Sequence, residues 1–201
     1  MNRIEPIVVT LLRHGEVEGR NNVLRGISDE PLTLGGGLQM KARLAGMQFD
    51  SVASSPLRRC REFAEKYAME SGLPLEILPE FREISFGKWE NLSPEEAESM
   101  DPICFRAFCE TFGMHAAPEG ESLASLKERV GLGWKKWIGE DRGTKRLLVT
   151  HACVMRALLM EIFGFSPELA FRFSLPTAAC LRISHLEGAD PYLLSVNSCA
   201  D

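Results

Sequence analysis

Ile7-Val8-Val9-Thr10-Leu11-Leu12 is a run of β-branched and aliphatic residues with no polar alternation, and it breaks off at Arg13-His14-Gly15-Glu16. A strand of that kind is buried on both faces, as in the middle of a parallel sheet covered by helices on either side. Such sheets bind ligands beyond the carboxyl ends of their strands, so chemistry is expected where the apolar run stops. Arg13 offers planar bidentate hydrogen bonds to phosphate or carboxylate. His14 can act as base or nucleophile near neutral pH, and Gly15 lets a backbone N–H come close to a ligand. A phosphate suits all three.

The opening pattern returns late in the chain, where Arg146-Leu147-Leu148-Val149-Thr150 ends in His151 and a helix (Val154, Leu158, Ile162) begins at once and stops at Gly164. The N–H groups at the start of that helix favour an anion. If the two strands are parallel neighbours, His14 and His151 converge at one sheet edge. Between them strand and helix alternate, the α/β signature. Glu16 to Glu30 reads as an exposed polar loop, and Thr33 caps a helix entered through Gly35-Gly36-Gly37, read as a loose first turn or a close packing point. Asp50–Ser55 is a short strand, and Ser55-Pro56 predicts a helix start with a capping hydroxyl. Arg58, Arg59 and Arg61 then occupy the first two turns of that helix, where the dipole disfavours cations. Their placement asks for an anion, with a solvated basic face expected for at least one.

Leu75–Leu78 reads as a strand. In Phe81-Arg82-Glu83-Ile84-Ser85-Phe86-Gly87-Lys88-Trp89-Glu90 two carboxylates lie among aromatic and aliphatic residues, surroundings that raise a carboxyl pKa. Ser93-Pro94-Glu95-Glu96 has the capping-box spacing, and Asp101-Pro102 opens a helix from Ile103 to Phe112. These two helices look like an insertion, around 92–121, covering the site. Ser122 caps a long amphipathic helix, and Cys180–Ser184 with Tyr192–Val196 suggests a terminal hairpin at the sheet edge.

With 201 residues, one domain spanning 1–201 is expected. A net charge of -5 argues against a general nucleic-acid binder, and no apolar run reaches the roughly 20 residues of a spanning helix. The N-terminus lacks a signal-peptide pattern, so a cytoplasmic location is expected. The six cysteines form no Cys-x-x-Cys pair and read as reduced thiols, although Cys104 and Cys109 lie close enough in sequence for a disulfide to be conceivable.

Five segments together resemble the histidine phosphatase superfamily, also called phosphoglycerate mutase-like. They are Leu12-Arg13-His14-Gly15-Glu16, Ser54-Ser55-Pro56-Leu57-Arg58-Arg59-Cys60, the Glu83 segment, Pro118-Glu119-Gly120-Glu121-Ser122-Leu123, and Val149-Thr150-His151-Ala152-Cys153-Val154-Met155-Arg156. The fourth is similar to a stretch common in the branch with the α-ribazole phosphatases. The resemblance implies a three-layer α/β/α sandwich with a mostly parallel central sheet, a phosphohistidine intermediate, and neither metal nor cofactor. His14 would be the nucleophile, Glu83 acid and then base, and Arg13, Arg59 and a protonated His151 the phosphoryl cradle. The family asparagine would fall to Asn21 or Asn22, because Arg20 stands where many members have asparagine and Val17 where they have threonine. Phe63 and Ala152 also depart from common residues.

The expected partner is a small phosphate ester, with no nucleic acid and no membrane. The oligomeric state is open, a homodimer among the options. The leading reading is a phosphomonoesterase acting on α-ribazole 5'-phosphate in cobalamin biosynthesis. Its rivals are a phosphoglycerate mutase, with Arg20 and Arg25 serving the substrate carboxylate, a broad-specificity sugar phosphatase, and a catalytically silent binding module.

Overall fold

The computed structural model describes residues 5–197, so the reading of Cys199 as a thiol lies outside the described residues. In chain order the elements are β1 (Ile7–Arg13), α1 (Leu34–Arg43), β2 (Ser51–Ser54), α2 (Arg58–Ser71), β3 (Leu75–Ile77), α3 (Pro94–Met100) and α4 (Pro102–Glu110). There follow α5 (Leu123–Gly139), β4 (Lys145–Thr150), α6 (Ala152–Phe163), α7 (Pro167–Phe171), β5 (Cys180–His185) and β6 (Tyr192–Val196). All six strands form one sheet in the order β3-β2-β4-β1-β5-β6. The pairs β2–β3, β2–β4 and β1–β4 are parallel, while β1–β5 and β5–β6 are antiparallel. β1 is therefore buried as expected, but it sits where the sheet changes from parallel to antiparallel pairing. Of the terminal hairpin only β6 lies at the edge.

The sheet's pleat divides the core in two. Val9 and Leu11 of β1 and Leu148 of β4 face one cluster, built with Leu126, Val130, Trp134 and Trp137 of α5 and Val154 and Leu158 of α6. Leu12, Leu147 and Val149, one residue out of phase, face the other, with Met40 of α1 and Cys60, Ala64 and Ala68 of α2. Helices on both faces make the α/β/α sandwich, which is why β1 and β4 carry no polar alternation.

Several caps are where the sequence places them: Thr33 Oγ1 accepts from the Gly36 N–H, Ser122 Oγ from the Ser125 N–H, and Ser93 with Glu96 forms a full capping box. Ser55 departs from expectation, since α2 begins only at Arg58 and has no side-chain cap. α4 also stops at Glu110, two residues short, and Phe112 beyond it has a φ of 54°. Phe105 and Phe108 of α4 pack edge-on against Trp89, itself fully buried. Cys104 and Cys109 are free thiols.

Candidate active site

Because β1 and β4 are parallel neighbours with Arg13 beside Thr150, their last residues leave the sheet together. The His14 N–H donates to the Thr150 carbonyl at 3.0 Å, and the His14 and His151 rings lie 5.4 Å apart between centroids. Both side chains are buried. His14 Nδ1 is 2.8 Å from the Gly15 carbonyl, which can only accept, so Nδ1 carries the proton and Nε2 keeps its lone pair. Burial, with Arg59 and Arg13 close by, holds this imidazole well below its ordinary pKa. His151 is held down in the same way by burial, Arg59 and His14, so without an anion it is neutral. Its Nε2 lies 2.7 Å from Ser55 Oγ. The hydroxyl read as a helix cap is a partner of the second histidine.

Two guanidiniums lie close to this pair. Arg13 Nη1 donates to the Leu175 carbonyl; Arg59, 1% exposed, donates from Nη1 to the Ser28 carbonyl and from Nη2 to the Gly26 carbonyl at 2.6 Å. Nε of each is buried with no hydrogen-bond partner, and among the described residues neither arginine forms an ion pair with a carboxylate. Arg146, also fully buried, makes the contrast: its Nε, Nη1 and Nη2 donate to the Gly143, Trp137 and Glu140 carbonyls at the end of α5. A buried charged donor left unpaired is costly, so the Nε groups of Arg13 and Arg59 are able to take an anion, whereas Arg146 ties off a helix. Arg58 Nε donates to Glu62 at 2.7 Å, and Arg61, its Nε without a hydrogen-bond partner, lies 3.9 Å from Glu65, both arginine side chains about two-fifths exposed. The solvated reading holds for these two, and Arg59 alone of the three is turned inward.

Glu83 is 7% exposed, with Oε1 accepting from the Ile84 N–H at 3.1 Å and Oε2 from the Cys153 N–H at 3.4 Å. Burial pushes its carboxyl pKa up against the opposing pull of Arg59. Its segment is held from both sides: Thr150 Oγ1 donates to the Phe81 carbonyl, and Arg129 Nη1 donates to the Glu80 and Arg82 carbonyls at 2.7 and 3.0 Å. Arg129 in turn makes a bidentate pair with Glu121. Gly120 lies so close to the Ser85 carbonyl that a Cβ would approach it to 2.7 Å. The Gly120-Glu121 stretch thus buttresses the acid segment from behind. The nearby carboxylates are otherwise engaged, since Glu121 is paired and Glu90 accepts three backbone N–H groups.

Residues 9–198 match the model of the histidine phosphatase superfamily (branch 1). The chain belongs to the histidine phosphatase superfamily. It is 29% identical over 168 residues to the adenosylcobalamin/alpha-ribazole phosphatase of Escherichia coli K12, covering 81% of this chain and 82% of that one. It is 30% identical over 196 residues to a Yersinia enterocolitica protein named probable phosphoglycerate mutase GpmB, covering 93% and 88%. The fold matches the crystal structure of the alpha-ribazole phosphatase from Shigella flexneri with a TM-score of 0.85 at 24% identity, covering 96% of each chain. This histidine phosphatase is accordingly an enzyme, a phosphomonoester hydrolase.

Other expected site residues of this histidine phosphatase lie on the loop after β1 and at its start. Asn21 and Asn22 are exposed on the loop after β1, Asn22 with a φ of 54°. Arg20 forms an ion pair with Glu96 of α3, and Arg25 with Glu30 at 3.4 Å, so neither is a free cation for a substrate carboxylate. Gly15 is required for a reason other than ligand approach: a Cβ there would stand 2.1 Å from the Gly36 carbonyl of α1. Sequence reasoning missed Arg129, which carried no signal among ordinary helix-surface charges, and the role of Ser55. Among the described residues no group of three His, Cys, Asp or Glu side chains could hold a metal ion, and no helix is long and apolar enough to cross a membrane.

Proposed function

We propose that the protein, one histidine phosphatase unit with residues 92–121 as a helical insertion, hydrolyses phosphomonoesters through a phosphohistidine at His14. The observation that carries this reading is that the two guanidiniums close to His14 each keep a buried Nε without a hydrogen-bond partner, beside a histidine whose Nε2 lone pair is free. Nε2 attacks phosphorus as the ester P–O bond breaks, and Glu83 passes its proton to the leaving alkoxide. Glu83, now a carboxylate, takes a proton from water, whose oxygen attacks phosphorus and breaks the N–P bond. Phosphate leaves and His14 and Glu83 are restored. Arg13 and Arg59 bind the phosphoryl oxygens where charge is spread in the transition state. A phosphoryl dianion between the arginines reverses the field on His151, which then takes up a proton and completes the cradle. Asn21 or Asn22, on the exposed loop after β1, takes the place of the family asparagine, and no metal or other cofactor takes part.

For the substrate we propose α-ribazole 5'-phosphate, in cobalamin biosynthesis in the cytoplasm. Similarity to the E. coli phosphatase supports it, as do the engaged Arg20 and Arg25, which leave a phosphoglycerate carboxylate without those two cations. Phe105 and Phe108 of the inserted helix pack against Trp89 in the core and offer no face to the ribazole base, while Phe112 and Phe171 lie beside each other with ring centroids 5.6 Å apart. A mutase reading has one observation in its favour besides the Yersinia relative: Arg156 lies over the Phe171 ring at 4.8 Å with Nε buried and unpartnered. Quenching turnover of labelled ester should trap an acid-labile, base-stable label that is lost in His14→Ala, and kcat/KM should be higher for the ribazole ester than for 3-phosphoglycerate. A label that survives acid, or primed mutase turnover with 2,3-bisphosphoglycerate, overturns the corresponding half of the proposal.

A further inference from the structure

We propose that Glu90 is a positioning residue for phosphoryl transfer, setting Arg59 through the single peptide group that joins Gly26 to Ile27. This rests on the reading of Arg59 as a phosphoryl ligand. Glu90 Oε1 accepts from the Ile27 N–H at 3.1 Å, while the carbonyl at the other end of the same peptide, that of Gly26, accepts from Arg59 Nη2 at 2.6 Å. The peptide dipole is thus held between an anion and a cation, an arrangement in which each hydrogen bond strengthens the other. Oε2 accepts from the Ser28 N–H at 3.1 Å, and the Ser28 carbonyl receives Arg59 Nη1. Both carbonyls that grip Arg59 therefore belong to residues whose loop is anchored on one carboxylate. Oε1 also accepts from the Phe86 N–H at 2.7 Å, so the anchor is shared with the segment carrying Glu83.

The local sequence is shaped around this contact. Gly26, at a φ of 50°, would place a Cβ 2.0 Å from Glu90 Oε1, so any larger residue displaces the carboxylate. Neighbouring bonds close the same seam: Asn91 N–H donates to the Leu24 carbonyl, Leu24 N–H to the Leu92 carbonyl, and Ser28 Oγ to Asn91 Oδ1. Arg59 cannot reach its place by packing alone, because its helix starts one residue earlier and its own partners are loop carbonyls. The Gly26 carbonyl keeps its orientation only while the Ile27 N–H of its own peptide is held by Glu90.

A double-mutant cycle with an aryl and an alkyl phosphate tests this, with competitive inhibition by inorganic phosphate as the binding probe. Glu90→Gln keeps the shape but turns an amide NH2 toward an N–H, and is expected to lower kcat/KM by roughly 10–100-fold, the range of lost supporting contacts. The phosphate inhibition constant should rise with it, and the loss should be equal on both esters, since Arg59 acts irrespective of the leaving group. In an Arg59→Ala background the same change should cost less than about 2-fold. Equal losses in both backgrounds, or an unchanged phosphate constant, overturn the proposal, as does a loss confined to the alkyl ester, which makes Glu90 an acid. If Arg59→Ala alone changes neither kcat/KM nor phosphate inhibition, the reading of Arg59 fails instead. Gly26→Ala is the second variant, used if Glu90→Gln does not fold: it moves the carboxylate without removing it and should show the same equal loss on both esters with weaker phosphate inhibition, whereas wild-type values overturn the proposal.

Discussion

His14 and Glu83 are each prepared by a contact one residue away in sequence: the imidazole by the Gly15 carbonyl on Nδ1, the carboxyl by the Ile84 N–H. What differs is charge. Burial and two arginines favour the neutral histidine, while burial favours the protonated acid despite those arginines. Burial thus moves both groups toward their uncharged forms, the neutral nucleophile and the protonated acid that proton donation to a departing alkoxide requires. For Glu83→Gln the expected outcome is a large loss, on the order of 10²–10⁴-fold in kcat, with an alkyl phosphate and a much smaller one with an aryl phosphate, whose leaving group needs little protonation. Equal losses measured on the two esters would place the acid elsewhere. At this scale the residues themselves marked His14, His151, Arg13 and the Arg58, Arg59 and Arg61 cluster, and the family resemblance assigned roles to Arg59 and Glu83. The local pattern misassigned Ser55, because a serine before a proline and a helix has the local signature of a cap whatever lies across the sheet.

Elements are positioned on the site by backbone contacts as much as by side chains. α1 approaches the end of β1 so closely that Gly36 has no room for a methyl group: a Cβ there would stand 2.1 Å from the Glu16 carbonyl. Next to it Gly37 faces open space. Alanine in place of glycine favours a helix by about 1 kcal/mol, whereas forcing atoms into a closed contact costs about 1–3 kcal/mol. Gly37→Ala should consequently raise the denaturation midpoint and Gly36→Ala lower it, with urea unfolding of the two variants as the measurement. A rise in both would mean that α1 can shift away from β1 without loss. The triple glycine is legible in sequence as an oddity at a helix start, but which glycine is obligatory depends on the Glu16 carbonyl, just past the end of β1. Cap positions at Thr33, Ser93 and Ser122, by contrast, are legible, because a cap is a contact within four residues.

For the whole molecule, the site's buried ionisable groups tie stability to pH. His14 and His151 have folded pKa values below that of an unfolded histidine, about 6.5, so below that pH the unfolded chain binds more protons. Their contribution is fully present above about pH 6.5 and is lost as pH falls toward the folded values. Glu83, raised by burial, acts oppositely: its contribution is present at low pH and is lost as pH rises through its folded value. The Tm of the unliganded protein should fall between pH 7.5 and 5.5, and His14→Asn should make that fall shallower. A variant curve parallel to or steeper than the wild type would contradict neutral burial of His14. By itself the sequence determined the α/β class, the strand ends that carry the histidines and most helix starts. These follow from hydrophobic periodicity and from hydrogen bonds between near neighbours. Only the tertiary structure decided that β1 and β4 are adjacent, that Arg59 rather than Arg58 or Arg61 turns inward, that Arg20 and Arg25 are engaged by carboxylates, and that Glu90 stands behind the carbonyls holding Arg59. Each of these depends on which distant segments share a strand edge or a loop seam, and that is set by packing the two apolar faces of the sheet, a property of the whole chain.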